Sequence, residues 1–334
     1  MNPGKGTFNP DRLNLDAAGE TKKIVDALQQ TIHHRLRKRG AVVGISGGID
    51  SSVTLALCVR ALGSQNVLGV IMPEKDSDPQ SKLIASRLAD SLQVPVIIEE
   101  LTPALEAAGC YTRRDEAIRN LFPEYGHGWT CKITLPGNLL EHDTFNIFTL
   151  TVVSPPAGNK GSQTYSKRIP LKEYLQIIAA SNLKQRMRMS MLYFHAERLN
   201  YAVVGTANKN EHDLGFFVKY GDGGVDVSPI THLYKTQVYQ LAAYLNIPLE
   251  IRQRTPTTDT YSAGSTQEEF FFRLPFEILD TVWFGHEQGF EPRDIASALQ
   301  LNEAQVMNII ADIERKKRAT VYLREAPIQL LEND

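Results

Sequence analysis

"VVGISGGIDSSVTLALCVRALG" runs from Val42 to Gly63, and its two halves differ in character. An apolar lead-in ends in a small polar cluster, Ser46, Gly47, Gly48, Asp50, Ser51 and Ser52, and a helical apolar pattern follows at once. Such a pattern reads as a buried strand that delivers a short turn to the N-terminus of a helix. In open α/β sheets, ligands sit beyond the carboxyl ends of the strands. A helix N-terminus offers unpaired N–H groups and the positive end of a dipole, so it suits an anion. Gly47 and Gly48 let the backbone come close to that anion. The hydroxyls of Ser46, Ser51 and Ser52 are donors for phosphate oxygens. Asp50 would repel a bare phosphate. It makes sense with Mg2+ between them, because hard cations take carboxylate and phosphate oxygens together. The turn therefore predicts phosphate plus magnesium.

The flanking sequence supplies the frame. Ile24, Leu28, Ile32 and Leu36 fall at helical spacing between Thr21 and Gly40, ahead of the strand "AVVGI". "NVLGVIMP" (Asn66–Pro73) and "VPVIIEEL" read as further strands, with the helix "SKLIASRLADSLQ" between them. After a long interruption, "MRMSMLYFHAERLN" reads as a helix and "YAVVGT" (Tyr201–Thr206) as a fourth strand. Short apolar runs alternating with helices predict an α/β fold, a doubly wound parallel sheet with helices on both faces. The interruption, 109–170, holds the strand-like runs "CKITLP", "FNIFTLTVVSP" and "QTYSKRIP", so it is expected to be a β-rich insertion. It could be a plain flap, a substrate lid or an oligomer contact; long excursions are often functional. Residues 275–334 are expected to form a helical C-terminal region within a single domain spanning 1–334.

Composition narrows the class. The chain has 334 residues and a formal net charge of −2, which argues against a general nucleic-acid or membrane-surface binder. The tail around "PRDIASALQLNEAQVMNIIADIERKK" has a helix-turn-helix pattern, but paired short helices are more often ordinary packing. Cys58, Cys110 and Cys131 are odd in number and lack C-x-x-C spacing, as expected of reduced thiols. "MNPGKGTFNP" has no apolar signal-peptide stretch, and no apolar run approaches the ~20 residues of a membrane span. These features point to a cytoplasmic protein.

The turn is neither G-x-x-x-x-G-K-[ST] nor G-x-G-x-x-G. Its S-G-G-x-D-S pattern resembles the pyrophosphate loop of the N-type ATP pyrophosphatases. Three later stretches resemble one branch, ammonia-dependent NAD synthetase. They are "SNLKQRMRM" (Ser181–Met189), "VVGTANKNEHDLGFFVKYGDGGVDVSPITHLYKTQVYQLAAYL" (Val203–Leu245) and "TPTTDT" (Thr255–Thr260). The resemblance covers most of residues 20–260 apart from the insertion. It implies ATP as co-substrate, bound by Gly44, Ile45, Ser46, Gly47, Gly48, Ile49, Asp50, Ser51, Thr206, Lys235 and Thr257. It implies that Asp50 and Glu211 hold Mg2+, that Asp50 and Lys235 serve catalysis, and that Lys235 steadies the leaving pyrophosphate. Arg186, Lys219 and Asp226 match family positions that contact nicotinic acid adenine dinucleotide. The implied reaction adenylates that acid's carboxylate and lets ammonia displace AMP. No glutaminase-type domain is visible, so free ammonia or a separate donor is implied. The resemblance also implies a homodimer with the dinucleotide site at its interface.

The match is uneven. Ser181-Asn182 stands where the family has Gly-Asn, and "YSAGSTQEEFFFRLPFE" (Tyr261–Glu277) replaces an acidic stretch. "RKKRATVYL" (Arg315–Leu323) is the nearest candidate for the family's basic tail. The ATP half matches more fully than the acceptor half. A sister amide synthetase acting on another carboxylic acid, and a non-catalytic nucleotide-binding protein, therefore both stay open.

Overall fold

The computed structural model describes residues 7–135, 137, 139–140, 148–156, 161–257, 261–264 and 266–330. Its strands are β1 (Ala41–Gly44), β2 (Val67–Ile71), β3 (Val96–Ile98), β4 (Thr130–Thr134), β5 (Thr149–Val153), β6 (Thr164–Arg168) and β7 (Ala202–Val204). The first helices are α1 (Ala17–Gln29), α2 (Ile49–Leu62), α3 (Pro79–Ser91), α4 (Thr102–Ala107), α5 (Cys110–Arg119) and α6 (Leu171–Leu199). Next come α7 (Lys209–Leu214), α8 (Lys235–Tyr244) and α9 (Leu249–Arg252). The C-terminal group is α10 (Phe276–Glu287), α11 (Pro292–Leu299), α12 (Glu303–Ala319) and α13 (Val321–Arg324).

The main sheet is parallel throughout, in the order β3-β2-β1-β7. The chain steps outward from β1 through β2 to β3, then returns to the other side of β1 as β7. The strand order therefore reverses between β1 and β7, where such sheets open a crevice at their carboxyl ends. Side chains alternate across this sheet. Ala41 and Val43 face the cluster built by α1, α2, α3 and α8, including Ile24, Leu28, Val53, Leu57, Ala85 and Val238. Val42, Leu68, Val70 and Val203 face the other way, onto Leu192 and Ala196 of α6. Both faces are covered, as the apolar strands predict. The helix expected from Met187 is the second half of α6, which starts at Leu171.

β4, β5 and β6 form a separate antiparallel sheet. It does not stand off from the body: Ile133, Leu150 and Val152 pack with Ile118, Phe122 and Ile177 of the α5–α6 region. The stretch 109–170 opens with a helix, α5, so strand structure within it starts only at β4. Part of the turn expected at "PPAGNKGS" lies outside the described residues. The C-terminal helices enclose their own apolar cluster around Trp283, Ile295 and Ile309. Their basic run is engaged internally: Lys316 Nζ lies 2.8 Å from Asp312 Oδ2 and donates to the Phe271 carbonyl at 2.6 Å. The three cysteines are free and buried, and burial pushes the Cys58 thiol up to about 12. Among the described residues no helix is long and apolar enough to cross a membrane.

Candidate active site

The loop after β1 keeps strand pairing for one more residue, with Ile45 N donating to Val70 O at 2.9 Å. It then turns at Gly47, whose φ is +76°. A Cβ there would stand 2.7 Å from the Ser81 carbonyl oxygen, so position 47 demands glycine. Gly48 is different. It caps α2 with ordinary extended torsions (φ −88°, ψ 163°), and a Cβ would meet only Ser46 Oγ at 3.3 Å. The serines also divide. Ser46 and Ser51 line the cleft above α2, and their hydroxyls lie 3.2 Å apart. Ser51 and Ser52 both donate to Gly48 O, at 3.0 and 2.7 Å, but Ser52 is fully buried and lies outside the cleft lining. The expectation that Ser52 offers a phosphate donor is corrected accordingly.

Asp50 is held on both oxygens. Lys235 Nζ lies 2.5 Å from Oδ2, and Asn208 Nδ2 donates to Oδ1 at 2.8 Å. Lys235 is the first residue of α8 and is fully buried. Asn208 caps α7, accepting from Glu211 N at 3.0 Å while Glu211 Oε2 accepts from Asn208 N at 3.2 Å. This reciprocal capping box fixes the Glu211 carboxylate at the start of α7. Its other oxygen accepts from Gln267 Nε2 at 3.1 Å.

These groups share a cleft of about 140 Å3 lined by Ser46, Gly48, Ile49, Asp50, Ser51, Thr206, Glu211, Lys235, Thr257 and Gln267. Burial and the Asp50 charge push the Glu211 carboxyl up to about 8, against the pull of Lys235 and the Asn208 N–H. Burial alone would push the Lys235 ammonium down; the Asp50 and Glu211 charges outweigh it and the net shift is upward. Among the described residues no group of three or more metal-binding side chains occurs. Two carboxylates facing one cleft are instead the donor set that suits Mg2+ shared with substrate phosphates.

Gly44, Ile45, Ser46 and Thr206 also line a larger adjoining cavity of about 420 Å3, over the carboxyl ends of β1, β2 and β7. Its wall includes Met72, Met189 and Leu192, which give it apolar surface, and Glu74 and Lys75 from the segment after β2. That segment is held from behind by a buried ionic group. Lys184 Nζ lies 3.0 Å from Glu74 Oε1 and 2.5 Å from Asp76 Oδ2. Arg114 pairs with Asp76, and Tyr111 donates to Glu74 Oε2 at 2.7 Å. Burial would raise the Asp76 carboxyl, but Lys184 and Arg114 outweigh it and hold it below the usual range.

Arg186, Lys219 and Asp226 line neither cavity. Arg186 Nε reaches the Lys219 carbonyl at 3.4 Å. Lys219 Nζ donates to the Tyr322 and Glu325 carbonyls at 2.7 and 2.8 Å. Asp226 accepts from Tyr193 Oη at 3.0 Å and from Val203 N at 2.8 Å. Three cleft-side residues escape a reading of the sequence. Asn208 is visible only as the first residue of an N-x-x-E helix start. Arg254 adjoins "TPTTDT"; its guanidinium donates to Asp78 Oδ2 at 2.7 Å and Ser81 Oγ at 2.8 Å, bracing the phosphate loop's neighbour α3. Gln267 lies in the aromatic stretch and carries no signal of its own.

The strand–loop–helix turn and the carboxylate–lysine cluster facing it lie together at the switch point of the parallel sheet. A family model described as NAD synthase matches residues 20–121 and 159–322. The NH(3)-dependent NAD(+) synthetase of Rhizobium meliloti (strain 1021) is 50% identical over 320 residues, covering 96% of this chain and 94% of that one. The chain belongs to the NAD synthase family. The fold is shared with the NH3-dependent NAD synthetase from Campylobacter jejuni (TM-score 0.59, 23% identity, 95% of this chain and 100% of that one). It is shared equally with an NMN synthetase from Francisella tularensis (TM-score 0.59, 19% identity, 95% and 99%).

Proposed function

We propose that this NAD synthase family member is an ammonia-dependent NAD synthetase, a ligase that forms a carbon–nitrogen bond while splitting ATP to AMP and pyrophosphate. The carboxylate of nicotinic acid adenine dinucleotide attacks the α-phosphorus of ATP, and the bond to the bridging oxygen breaks. Pyrophosphate leaves and an acyl adenylate remains. Ammonia then attacks the activated carbonyl, gives up a proton, and AMP departs with the former carboxylate oxygen. The observation that carries this reading is the Asp50 carboxylate at the start of α2, held by Asn208 and Lys235, with Glu211 in the same cleft.

Ser46, Gly48 and Ser51 cradle the ATP phosphates with the α2 N–H groups, and Thr206 and Thr257 close the sides of the cleft. Asp50 and Glu211 would hold Mg2+, which supplies charge stabilisation to the phosphate oxygens when bound. Lys235 neutralises the charge that builds on the leaving pyrophosphate. The larger cavity takes the nucleoside of ATP. Catalysis is then chiefly positioning and electrostatics. In a homodimer, Arg186, Lys219 and Asp226 receive the second substrate, the dinucleotide, across the interface.

A second reading, amidation of a different carboxylic acid, rests on the departures in the acceptor half, Ser181-Asn182 and Tyr261–Glu277. The test is pyrophosphate release from ATP with magnesium and ammonia, across a panel of acids. Release dependent on nicotinic acid adenine dinucleotide supports the first reading, and release with another acid alone supports the second. Asp50→Asn is expected to cut turnover by orders of magnitude while leaving the protein folded. Near-normal turnover in that variant would remove Asp50 from the mechanism.

A further inference from the structure

Lys235 and the cap of α7 act on one carboxylate, each on its own oxygen. Asn208, that cap, bonds one oxygen of Asp50 and Lys235 of α8 the other. The register of α7 against α8 therefore decides where the Asp50 carboxylate and the Lys235 ammonium stand. A third helix joins the two. Asp280 of α10 is fully buried. Its Oδ1 accepts from Asn210 Nδ2 at 2.5 Å and its Oδ2 from Thr236 N at 2.8 Å. Asn210, fully buried in α7, in turn accepts from Lys235 N on its Oδ1 at 3.0 Å.

The first two N–H groups of α8 are thus taken by side chains from two other helices. Those N–H groups have no partner within their own helix, and a carboxylate near them lies at the favourable end of the helix dipole. A buried carboxylate costs free energy unless its oxygens are hydrogen-bonded, and here each oxygen accepts one N–H. Capping alone could be met by an exposed Ser or Thr. A buried Asp–Asn relay also ties α7, α8 and α10 together.

We infer that Asn210 and Asp280 are positioning residues for Lys235, locking the start of α8 to α7 so that the ammonium and the Glu211-bearing helix address Asp50 together. This rests on the proposed role of Lys235 in pyrophosphate release. It also explains what the C-terminal helical region contributes to a cleft that its other residues do not line.

The relay is directional, which makes it testable by exchange. Asp280→Asn sets an amide against the Asn210 amide, or a donor against Thr236 N. Asn210→Asp sets two carboxylates against each other. The double exchange restores every bond: Asp at 210 accepts from Lys235 N and from the new amide at 280, whose oxygen accepts from Thr236 N. The measurements are kcat and KM for ATP in pyrophosphate release, the urea unfolding midpoint, and the acetylation rate of Lys235 read by peptide mass spectrometry.

Each single variant is expected to lower kcat about 10- to 100-fold with KM for ATP little changed, as misplacement by about an ångström does, and to acetylate faster at Lys235. The exchange is expected to return kcat and Lys235 protection to near the parent. The inference is overturned if a folded single variant keeps kcat and protection. It is equally overturned if the exchange restores the unfolding midpoint but neither of the other two. Should a single variant fail to fold, the exchange variant decides alone. If the parent releases no pyrophosphate, the proposed function fails while Lys235 protection still decides the relay.

Discussion

Replacing Lys235 by Met tests the charge balance of the cleft. Met keeps an unbranched apolar stem and removes only the ammonium. In the parent that ammonium sits 2.5 Å from Asp50 Oδ2 and also draws the Glu211 carboxyl down. The lysine is fully buried and the Asp50 side chain only 15% exposed, so solvent replaces little of the lost attraction. Removing one partner of a buried pair costs about 3–5 kcal/mol. The partial exposure of Asp50 and its remaining bond from Asn208 place this case near 3 kcal/mol. Two carboxyls without an internal counter-charge should then bind a divalent cation more readily. An ion at a hundredfold above its dissociation constant returns about 2.7 kcal/mol. Urea unfolding, with and without saturating magnesium, is the assay. The variant should unfold earlier than the parent in chelator and recover most of the difference in magnesium, while the parent shifts less. Pyrophosphate release should stay low in both conditions. An unchanged midpoint in chelator, or a magnesium shift at least as large in the parent, would refute the reasoning.

Two further expectations concern the same neighbourhood. Gln267→Leu removes the amide that bonds Glu211 Oε1; a lost bond to a charged group is worth about 1.5–3 kcal/mol. The magnesium concentration for half-maximal pyrophosphate release should therefore rise about tenfold or more, and an unaltered magnesium curve would exclude Gln267 from holding Glu211. For Asp280, burial outweighs the hydrogen bonds from Asn210 and Thr236 and pushes the carboxyl up to about 6. Its folded value lies above the ordinary carboxylate range near 4, so the folded state binds the proton more tightly. This group's contribution to stability is complete below about pH 4 and declines as pH rises through 6. Asp280→Asn should flatten that decline in denaturant midpoints measured between those limits; an identical slope would remove Asp280 as its source.

The legible parts of the molecule are those in which a local pattern has one physical solution. β1, its turn and α2 could be read from Val42–Gly63 because a buried strand ending in Gly-Gly-x-Asp before an apolar helix has few other uses. Even there the sequence treats Gly47 and Gly48 alike, and Ser51 and Ser52 alike. Only torsions and close approaches separate the glycine that backbone geometry demands from the one that merely caps, and only burial separates the hydroxyl that borders the cleft from the one shut behind it. Glu211 and Lys235 were visible as motif positions, and folding brings both to Asp50. Gln267 and Asp280 were not visible, because their partners lie 56 and 70 residues away, at Glu211 and Asn210. Nothing in their immediate sequence encodes those meetings. The first half of α6 escaped because its buried stripe, Ile177, Ala180, Ser181 and Lys184, is half polar.

The ionic group behind the larger cavity has a consequence for how this chain can change. The family model passes over residues 122–158, which contain β4 and β5. That stretch sits on α5 and α6 as a graft sits on its stock. Arg114 and Lys184, which those two helices carry, are already committed to Asp76 and Glu74. Lengthening or recolouring the outer sheet should therefore leave the wall of the larger cavity where it is. A charge lost at the union, at Arg114 or Lys184, should loosen the wall of the larger cavity instead. Sequence freedom should be generous in the crown of the graft and end abruptly at its root.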